Sequence, residues 1–174
     1  MKVIVLTGPE STGKSWLAQT LKDKLGGVLV GEYVREYFAT LGRDTTYEDI
    51  TPIARRQLGH EDAARQQRPA LLILDTHLLS NILWSRFLFD DCPDWLEAAL
   101  LARHYNLHLL LDPREVPWSN DGQRCQPDMR DRLAFYEACK TWLDNHKQTY
   151  RCIGGNWANR QRLALQYVTE LLEG

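Results

Sequence analysis

A doubly wound α/β fold, with a parallel sheet of about five strands and helices on both faces, is the fold class that the sequence predicts. Short apolar runs alternate along the chain with longer segments of helical periodicity. The runs are continuously apolar, which is typical of parallel strands that are buried on both faces. The chain has 174 residues and no visible repeat or linker, so we expect one domain, 1–174.

The predicted elements follow from the apolar pattern in chain order. Strands are predicted at the runs 3–6, 28–30, 71–74, 107–111 and 149–153. Helices are predicted where apolar residues recur at helical spacing, over 14–25, 33–41, 51–67, 77–89, 93–105, 128–145 and 156–172. The glycine pair at 26 and 27 ends the first helix, and Pro69 separates the third helix from the third strand.

Ligands of such sheets bind beyond the carboxyl ends of the strands. The fourth predicted strand is followed there by an irregular stretch, 112–127, which contains three prolines and a glycine. Long structureless loops are uncommon in compact domains and are usually functional. We therefore expect a lid over about 112–132.

The strongest motif lies between the first predicted strand and the first predicted helix. Residues 8–15 read GPESTGKS and match the phosphate-binding pattern GxxxxGK[ST] without a mismatch. The loop N–H groups and the helix N-terminus bind phosphates, Lys14 reaches the β- and γ-phosphates, and the Ser15 hydroxyl ligates Mg²⁺. The sequence therefore predicts a P-loop NTPase with ATP and Mg²⁺ as cofactors. The residues expected at the phosphates are Gly8, Glu10, Ser11, Thr12, Gly13, Lys14, Ser15 and Trp16.

Two carboxylates follow predicted strands on the ligand side. Asp75 ends the third strand, where a carboxylate helps to hold Mg²⁺ or acts as a general base. Glu32 follows the second strand and would bind or deprotonate an acceptor hydroxyl, while Arg35 would hold a phosphate or the acceptor. The sequence does not separate Glu32 from Asp75 as the general base.

The predicted lid carries arginine side chains that suit phosphoryl transfer. A mobile arginine brings positive charge to the transferring group, and Arg124 is the candidate for that role beside Lys14. Arg130 and Arg132 follow, either in the same role or on a solvated helix face paired with nearby aspartates. The tryptophans in predicted helices are expected in the core or in an interface: Trp16, Trp84, Trp95, Trp142 and Trp157.

Composition argues against several classes of protein. The net charge is −2 and there is no basic run, so a nucleic-acid partner is not expected. No apolar stretch is long enough for a membrane span or a signal peptide. The four cysteines form no CxxC pair and are expected to be free thiols in a reducing compartment, so a cytoplasmic location is expected.

Several blocks together resemble the ribosylnicotinamide kinase domain of the NadR family of P-loop kinases. They are GPESTGKS at 8–15, EYVREY at 32–37, LGH at 58–60, LDT at 74–76 and PWSNDGQR at 117–124, in the order of the family. The resemblance implies ATP-dependent phosphorylation of the ribose 5′-hydroxyl of nicotinamide riboside, which gives nicotinamide mononucleotide. It also implies a nucleoside-binding site built from Glu32, Tyr33, Arg35, Asp75, Trp118, Asp121 and Arg124, with the indole of Trp118 against the cationic pyridinium ring.

This chain departs from the family pattern in two respects. The DNA-binding and adenylyltransferase domains are absent from the sequence, so we expect it not to be the bifunctional regulator itself. The family's Asp-Thr-Asp pattern reads Asp75-Thr76-His77 here, and losing the second acid would alter metal binding or acceptor choice. Two alternatives stay open: a kinase for another nucleoside or small alcohol, and a regulatory module that binds or hydrolyses ATP.

Overall fold

The computed structural model describes residues 1–120, 124 and 126–174, and it shows an α/β fold with one parallel sheet. The strands are β1 (Lys2–Thr7), β2 (Val28–Val30), β3 (Leu71–Asp75), β4 (Leu107–Leu111) and β5 (Tyr150–Ile153). The helices are α1 (Lys14–Leu25), α2 (Tyr33–Leu41), α3 (Tyr47–Gln66), α4 (Leu78–Phe89), α5 (Trp95–Leu101), α6 (Met129–Asn145) and α7 (Trp157–Glu173). Every strand pairing is parallel, in the order β2-β3-β1-β4-β5. The predicted doubly wound fold class is confirmed.

The apolar strands divide their side chains between two cores, one on each face of the sheet. On β3, Leu72 and Leu74 pack with buried residues of α3, α4, α5 and α6. Leu71 and Ile73 of the same strand pack with buried residues of α1 and α7. Because successive side chains of a strand point to opposite faces, a strand that is covered on both sides must be apolar throughout.

The third helix begins earlier than the pattern predicts. The prediction was 51–67, whereas α3 starts at Tyr47. Thr46 and Asp49 form a reciprocal capping box, which pairs the N–H groups of these two residues. This cap starts the helix ahead of Pro52, which therefore lies inside α3.

The helix predicted over 93–105 is also wrong in extent, since α5 ends at Leu101. The chain leaves the helix early because the Asn106 N–H donates to the Val3 carbonyl at 2.8 Å, which aligns the following residues as β4. Within the described part of the chain, no helix is both long and apolar enough to cross a bilayer.

The loop between β1 and α1 passes closely over the end of β4. Gly8 has φ +131°, and a Cβ at this position would lie 2.7 Å from the Leu111 carbonyl oxygen. Only glycine therefore allows the loop to leave β1 along this path. The carboxyl ends of the five strands bring together the loop and the residues that follow β2, β3, β4 and β5.

Arg132 on α6 fastens this loop to the chain that follows β4. Its side chain is 1% exposed and donates hydrogen bonds to three main-chain carbonyls. Nε binds the Glu10 carbonyl, Nη2 the Ser11 carbonyl and Nη1 the Val116 carbonyl, each at 3.2 Å. Arg132 thus joins two loops that have no regular structure of their own. The two roles predicted for Arg132, a mobile lid arginine and a residue on a solvated helix face, both differ from this buried position. Arg130, in contrast, is 84% exposed and lies beside Asp128.

Arg160 on α7 makes a second, similar connection. Its side chain is fully buried, and Nη2 donates to the carbonyls of Asp112 and Arg114 at 2.8 and 2.9 Å. Nε donates to Gly155 at 2.6 Å and Nη1 to Thr12 at 3.4 Å. Burial lowers the pKa of this guanidinium. Four carbonyls from three loops therefore converge on one side chain, and all four would lose this donor if that side chain were removed.

A polar cluster at Asp49 holds the turn between α2 and α3. Asp49 is buried, and its carboxylate accepts hydrogen bonds from Arg43 Nη1 and Nη2 at 2.7 and 2.9 Å. It also accepts from the Tyr37 hydroxyl at 2.7 Å and from the Thr46 N–H at 2.8 Å. The hydrogen bonds from Arg43 are the largest cause that holds the pKa of Asp49 well below its usual range.

We predict that Arg160→Met lowers the free energy of unfolding by about 3 kcal/mol, because four carbonyls of three loops lose a shared donor. Arg162→Met is the matched control, since Arg162 is exposed on the same helix and its removal should cost less than about 0.5 kcal/mol. Urea denaturation of both variants measures the difference. Equal losses in the two variants would contradict the role given to Arg160.

We predict that Asp49→Asn lowers stability by about 1 kcal/mol at pH 7 through loss of the cap. A carboxyl with a depressed folded pKa stabilises the fold above its unfolded pKa, near pH 4, and loses that contribution as the pH falls further. The difference between wild type and variant should therefore shrink below about pH 4. Thermal melts across pH measure it, with Asp44→Asn as the control, since it makes the same substitution at an exposed residue of the same turn. A constant difference across that range would be the contrary result.

Candidate active site

The glycine loop ends at Gly13, where α1 begins, and the indole ring of Trp157 packs against this residue. Gly13 has φ +87° and is the N-cap of α1 in the left-handed region. A Cβ at Gly13 would collide with the indole ring of Trp157, so the ring lies directly against the loop. Within the loop, the Thr12 hydroxyl donates to the Pro9 carbonyl at 2.9 Å. This arrangement sets the N–H groups of the first turn of α1 beside the loop, which is the geometry of an anion site.

Lys14 lies across the loop. Its ammonium donates to the carbonyls of Gly8 and Pro9 at 3.0 and 2.7 Å. Burial lowers the pKa of Lys14, and the neighbouring carboxylates of Glu32 and Asp75 oppose that shift. The structure therefore brings the predicted lysine and both predicted carboxylates into one electrostatic neighbourhood.

Asp75 is the carboxylate best suited to a cation. It ends β3, is 4% exposed, and its Oδ1 has no hydrogen-bond partner among the described residues. Burial is the main cause that raises the pKa of Asp75 to about 6, Glu32 adds to the shift, and the Ser15 hydroxyl and Lys14 oppose it. An orphaned carboxylate oxygen beside a hydroxyl fits Mg²⁺, which takes few protein ligands and completes its shell with phosphates and water. In the described part of the chain, no group of three or more His, Cys, Asp or Glu side chains forms a metal cluster.

Glu32 and Arg35 form an ion pair at the start of α2. Arg35 Nε donates to Glu32 Oε2 at 3.0 Å, and the side chains are 39% and 14% exposed for Arg35 and Glu32. Glu32 is the N-cap residue of α2 and lies just beyond the carboxyl end of β2. Tyr33 lies elsewhere: its N–H donates to Gln57 at 2.9 Å and its ring meets the His60 ring edge-on.

The segment after β4 lies on the glycine loop. The Ser119 N–H donates to the Ser11 hydroxyl at 3.2 Å, and Arg124 Nη1 donates to the Ser119 carbonyl at 2.6 Å. Trp118 Nε1 donates to Glu10 Oε1 at 3.0 Å, and the same oxygen accepts from the Gln126 N–H. Asp121, a predicted substrate residue, lies outside the described residues.

Two cavities open at this edge of the sheet, of about 290 and 510 Å³. The first cavity lies over the glycine loop and the start of α1, under the segment that contains Val116, Pro117 and Ser119. The second cavity lies between α2, the following turn, α3 and α4. Among the described residues, four line both cavities: Lys14, Glu32, Arg35 and Arg124.

The predicted site residues divide between these cavities. Five of the residues predicted to bind phosphate line the first cavity, namely Ser11, Thr12, Gly13, Ser15 and Trp16, whereas Glu10 lines the second. As the described residues form them, neither cavity is lined by Tyr33, Asp75 or Trp118.

Sequence reasoning missed residues of both cavities. Trp157 lines the first cavity although core or interface burial was expected. The second is lined by side chains of α2, α3 and α4 that no motif identified, among them Phe38, Gln57, Ser80, Asn81 and Trp84. One signal was present in the sequence of α4, since Ser80 and Asn81 interrupt the apolar first half of this helix.

Comparison with known proteins agrees with this architecture. The chain is 27% identical over 139 residues to the trifunctional NAD biosynthesis/regulator protein NadR of Salmonella typhimurium, covering 78% of this chain and 34% of that protein. Among solved structures, a NadR protein in complex with NR superposes with a TM-score of 0.75 at 18% identity, over 99% of this chain and 52% of the other. The deoxyadenosine kinase of M. mycoides with bound dATP superposes with a TM-score of 0.64 at 13% identity, over 97% of this chain and all of the other.

These matches confirm the resemblance to NadR and the fold of P-loop nucleoside kinases. The chain spans about a third of the length of the Salmonella protein. The profile of the AAA domain matches residues 3–160, which is most of the sequence. The chain therefore belongs to the AAA domain family.

Proposed function

We propose that this chain is an ATP-dependent kinase that phosphorylates the ribose 5′-hydroxyl of nicotinamide riboside. The observation that carries the proposal is the meeting of the two cavities at Lys14, Glu32, Arg35 and Arg124. A phosphoryl transferase needs a donor site and an acceptor site that face each other across charged side chains. The likeness to a NadR protein in complex with NR supports this choice of acceptor.

The first cavity is the proposed donor site. The glycine loop and the N-terminus of α1 would bind the triphosphate of ATP, and the ammonium of Lys14 would turn from the loop carbonyls to the β- and γ-phosphates. Ser15 and Asp75 would hold Mg²⁺, which supplies positive charge against the phosphate oxygens when bound.

Glu32 is the proposed general base. It lines both cavities, whereas Asp75 lines neither and lies beside Ser15 on the metal side. In the proposed step the acceptor hydroxyl gives its proton to the Glu32 carboxylate, and its oxygen forms a bond to the γ-phosphorus. The bond from that phosphorus to the bridging oxygen breaks, and ADP leaves with the electron pair. Arg35 and Arg124 would neutralise the charge on the transferring group.

The second cavity is the proposed acceptor site. Its volume lies in the range of small-molecule sites, and its wall combines the rings of Phe38 and Trp84 with the polar groups of Gln57 and Asn81. Aromatic faces attract a cationic ring such as nicotinamide. The stacking of Trp118 on the nicotinamide ring remains a prediction. Trp118 is hydrogen-bonded to Glu10, which lines the second cavity, so this hydrogen bond would position the indole for stacking.

The segment over 112–132 is the proposed lid. Its contacts to Ser11 and its Arg124 lie above the first cavity. A lid at this position would exclude water from the γ-phosphate, which would otherwise compete with the acceptor hydroxyl.

A kinase for a different nucleoside is the second candidate. The likeness to a deoxyadenosine kinase over the whole length of that enzyme favours it. Both candidates use the same donor site and differ only in the ring that the second cavity accepts.

The test of the function is turnover by the purified chain with ATP and Mg²⁺, with nicotinamide riboside and a panel of nucleosides. We expect nicotinamide mononucleotide, detected by mass spectrometry, and no product from Lys14→Ala, because that variant lacks the charge on the phosphates. A phosphorylated product from another nucleoside alone would select the second candidate. ATP binding or hydrolysis without any phosphorylated acceptor would contradict a kinase.

We predict that Glu32→Gln lowers kcat about 10²- to 10⁴-fold, the usual contribution of a general base, with little change in ATP affinity. Glu32→Asp, which keeps the carboxylate on a shorter side chain, should recover part of that loss. Steady-state kinetics for both variants and calorimetric titration of ATP make the comparison. Full kcat in Glu32→Gln would shift the role to Asp75 or remove base catalysis from the mechanism.

A further inference from the structure

Two exposed tryptophans stand at one side of the first cavity. Trp16 is 42% exposed and Trp157 is 46% exposed. Their rings meet edge to face with centroids 5.3 Å apart. Both line the first cavity, and neither is among the residues that line the second. Large aromatic side chains that stay in solvent beside a cavity indicate a ligand that covers them.

Trp157 is held rigidly in this position. It is the first residue of α7, directly after Asn156, whose side chain caps the helix by accepting from the Asn159 N–H at 2.9 Å. One part of its ring fills the space that a Cβ of Gly13 would occupy. The buried guanidinium of Arg160 lies 6.0 Å from the ring centroid. A ring fixed by a helix cap, by the glycine loop and by a buried cation provides a ready surface for stacking.

The position of Trp16 and Trp157 relative to the second cavity indicates which part of a bound nucleotide they would contact. A nucleotide whose phosphates lie on the glycine loop must direct its γ-phosphate toward the residues that both cavities share, Lys14, Glu32 and Arg35. Its nucleoside half then leaves the loop on the side away from the second cavity. Trp16 and Trp157 lie beside the loop and belong only to the first cavity.

We propose that Trp157, with Trp16 at its edge, is the stacking platform for the base of the donor nucleotide. This inference rests on the proposed function, since it assumes that the first cavity binds the phosphates of that nucleotide. Base-to-indole stacking tolerates every nucleobase because each has a π-face, and removing the aromatic ring costs about 10- to 100-fold in affinity. The platform therefore contributes donor affinity without demanding one particular base.

The test compares ATP with inorganic tripolyphosphate, which carries the phosphates without a base. We expect Trp157→Leu to weaken MgATP binding about 10- to 100-fold in calorimetric titration and to leave tripolyphosphate binding unchanged. Trp157→Phe keeps an aromatic face and should recover most of the ATP affinity. Phe87→Leu is the matched control, because Phe87 is 47% exposed on α4 and lines neither cavity. It should change neither affinity.

Three results would overturn the platform. An equal loss for ATP and tripolyphosphate would mean that Trp157 acts on the loop through Gly13. A higher KM for the acceptor with unchanged ATP affinity would assign the ring to the acceptor. Unchanged ATP affinity in both Trp157 variants would remove it from binding altogether.

The affinities of the wild-type protein for ATP and for tripolyphosphate provide a test that does not depend on the variants. If Trp157→Leu does not fold, the wild-type protein should still bind ATP more tightly than tripolyphosphate, and equal affinities would count against the platform. A wild-type protein that binds neither compound would instead overturn the proposed function, which separates the two failures.

Discussion

The organisation of the site depends on two buried arginines that bind main-chain carbonyls. Arg132 joins the carbonyls of Glu10 and Ser11 to that of Val116, and Arg160 joins Thr12 to the chain after β4 and β5. Among the described residues, neither guanidinium forms an ion pair with a carboxylate. Their positive charges lie behind the glycine loop and would add to the potential that attracts a triphosphate. The loop, the segment over it and the two supporting helices therefore form one connected unit, in which a shift of any part disturbs the others.

The charged side chains near Lys14 differ from the two buried arginines, because they have carboxylates as neighbours. Lys14 and Arg35 lie near Asp75 and Glu32, so that two cations and two carboxylates share one electrostatic neighbourhood. Asp75 is deeply buried and its pKa is raised to about 6, whereas Glu32 is bound to Arg35 and faces both cavities. Two carboxylates in such different surroundings are suited to different tasks, since a buried oxygen without a hydrogen bond favours a cation and a cavity-facing one can reach an acceptor.

Local patterns in the sequence were sufficient for much of this description. The glycine loop, the positions of the strands along the chain and the placement of Lys14, Ser15, Asp75 and Glu32 beside them all follow from short motifs and periodicity. The ends of helices were harder to predict from the sequence. The start of α3 depends on the reciprocal hydrogen bonds of Thr46 and Asp49, and the end of α5 depends on the hydrogen bond between Asn106 and Val3. A periodic pattern does not contain such bonds.

What the sequence determined by itself is the glycine loop of the proposed phosphate site and the class of the fold, because both depend on residues that are close together in the chain. Only the tertiary structure decided the surroundings of Arg132, Arg160 and Trp157 and the wall of the second cavity. Their partners lie far away in sequence: Arg160 binds Thr12, and the ring of Trp157 covers Gly13. Whether an arginine or a tryptophan is solvated, buried or set against a ligand depends on distant backbone atoms, and those come together only when the sheet has brought the strand ends to one edge.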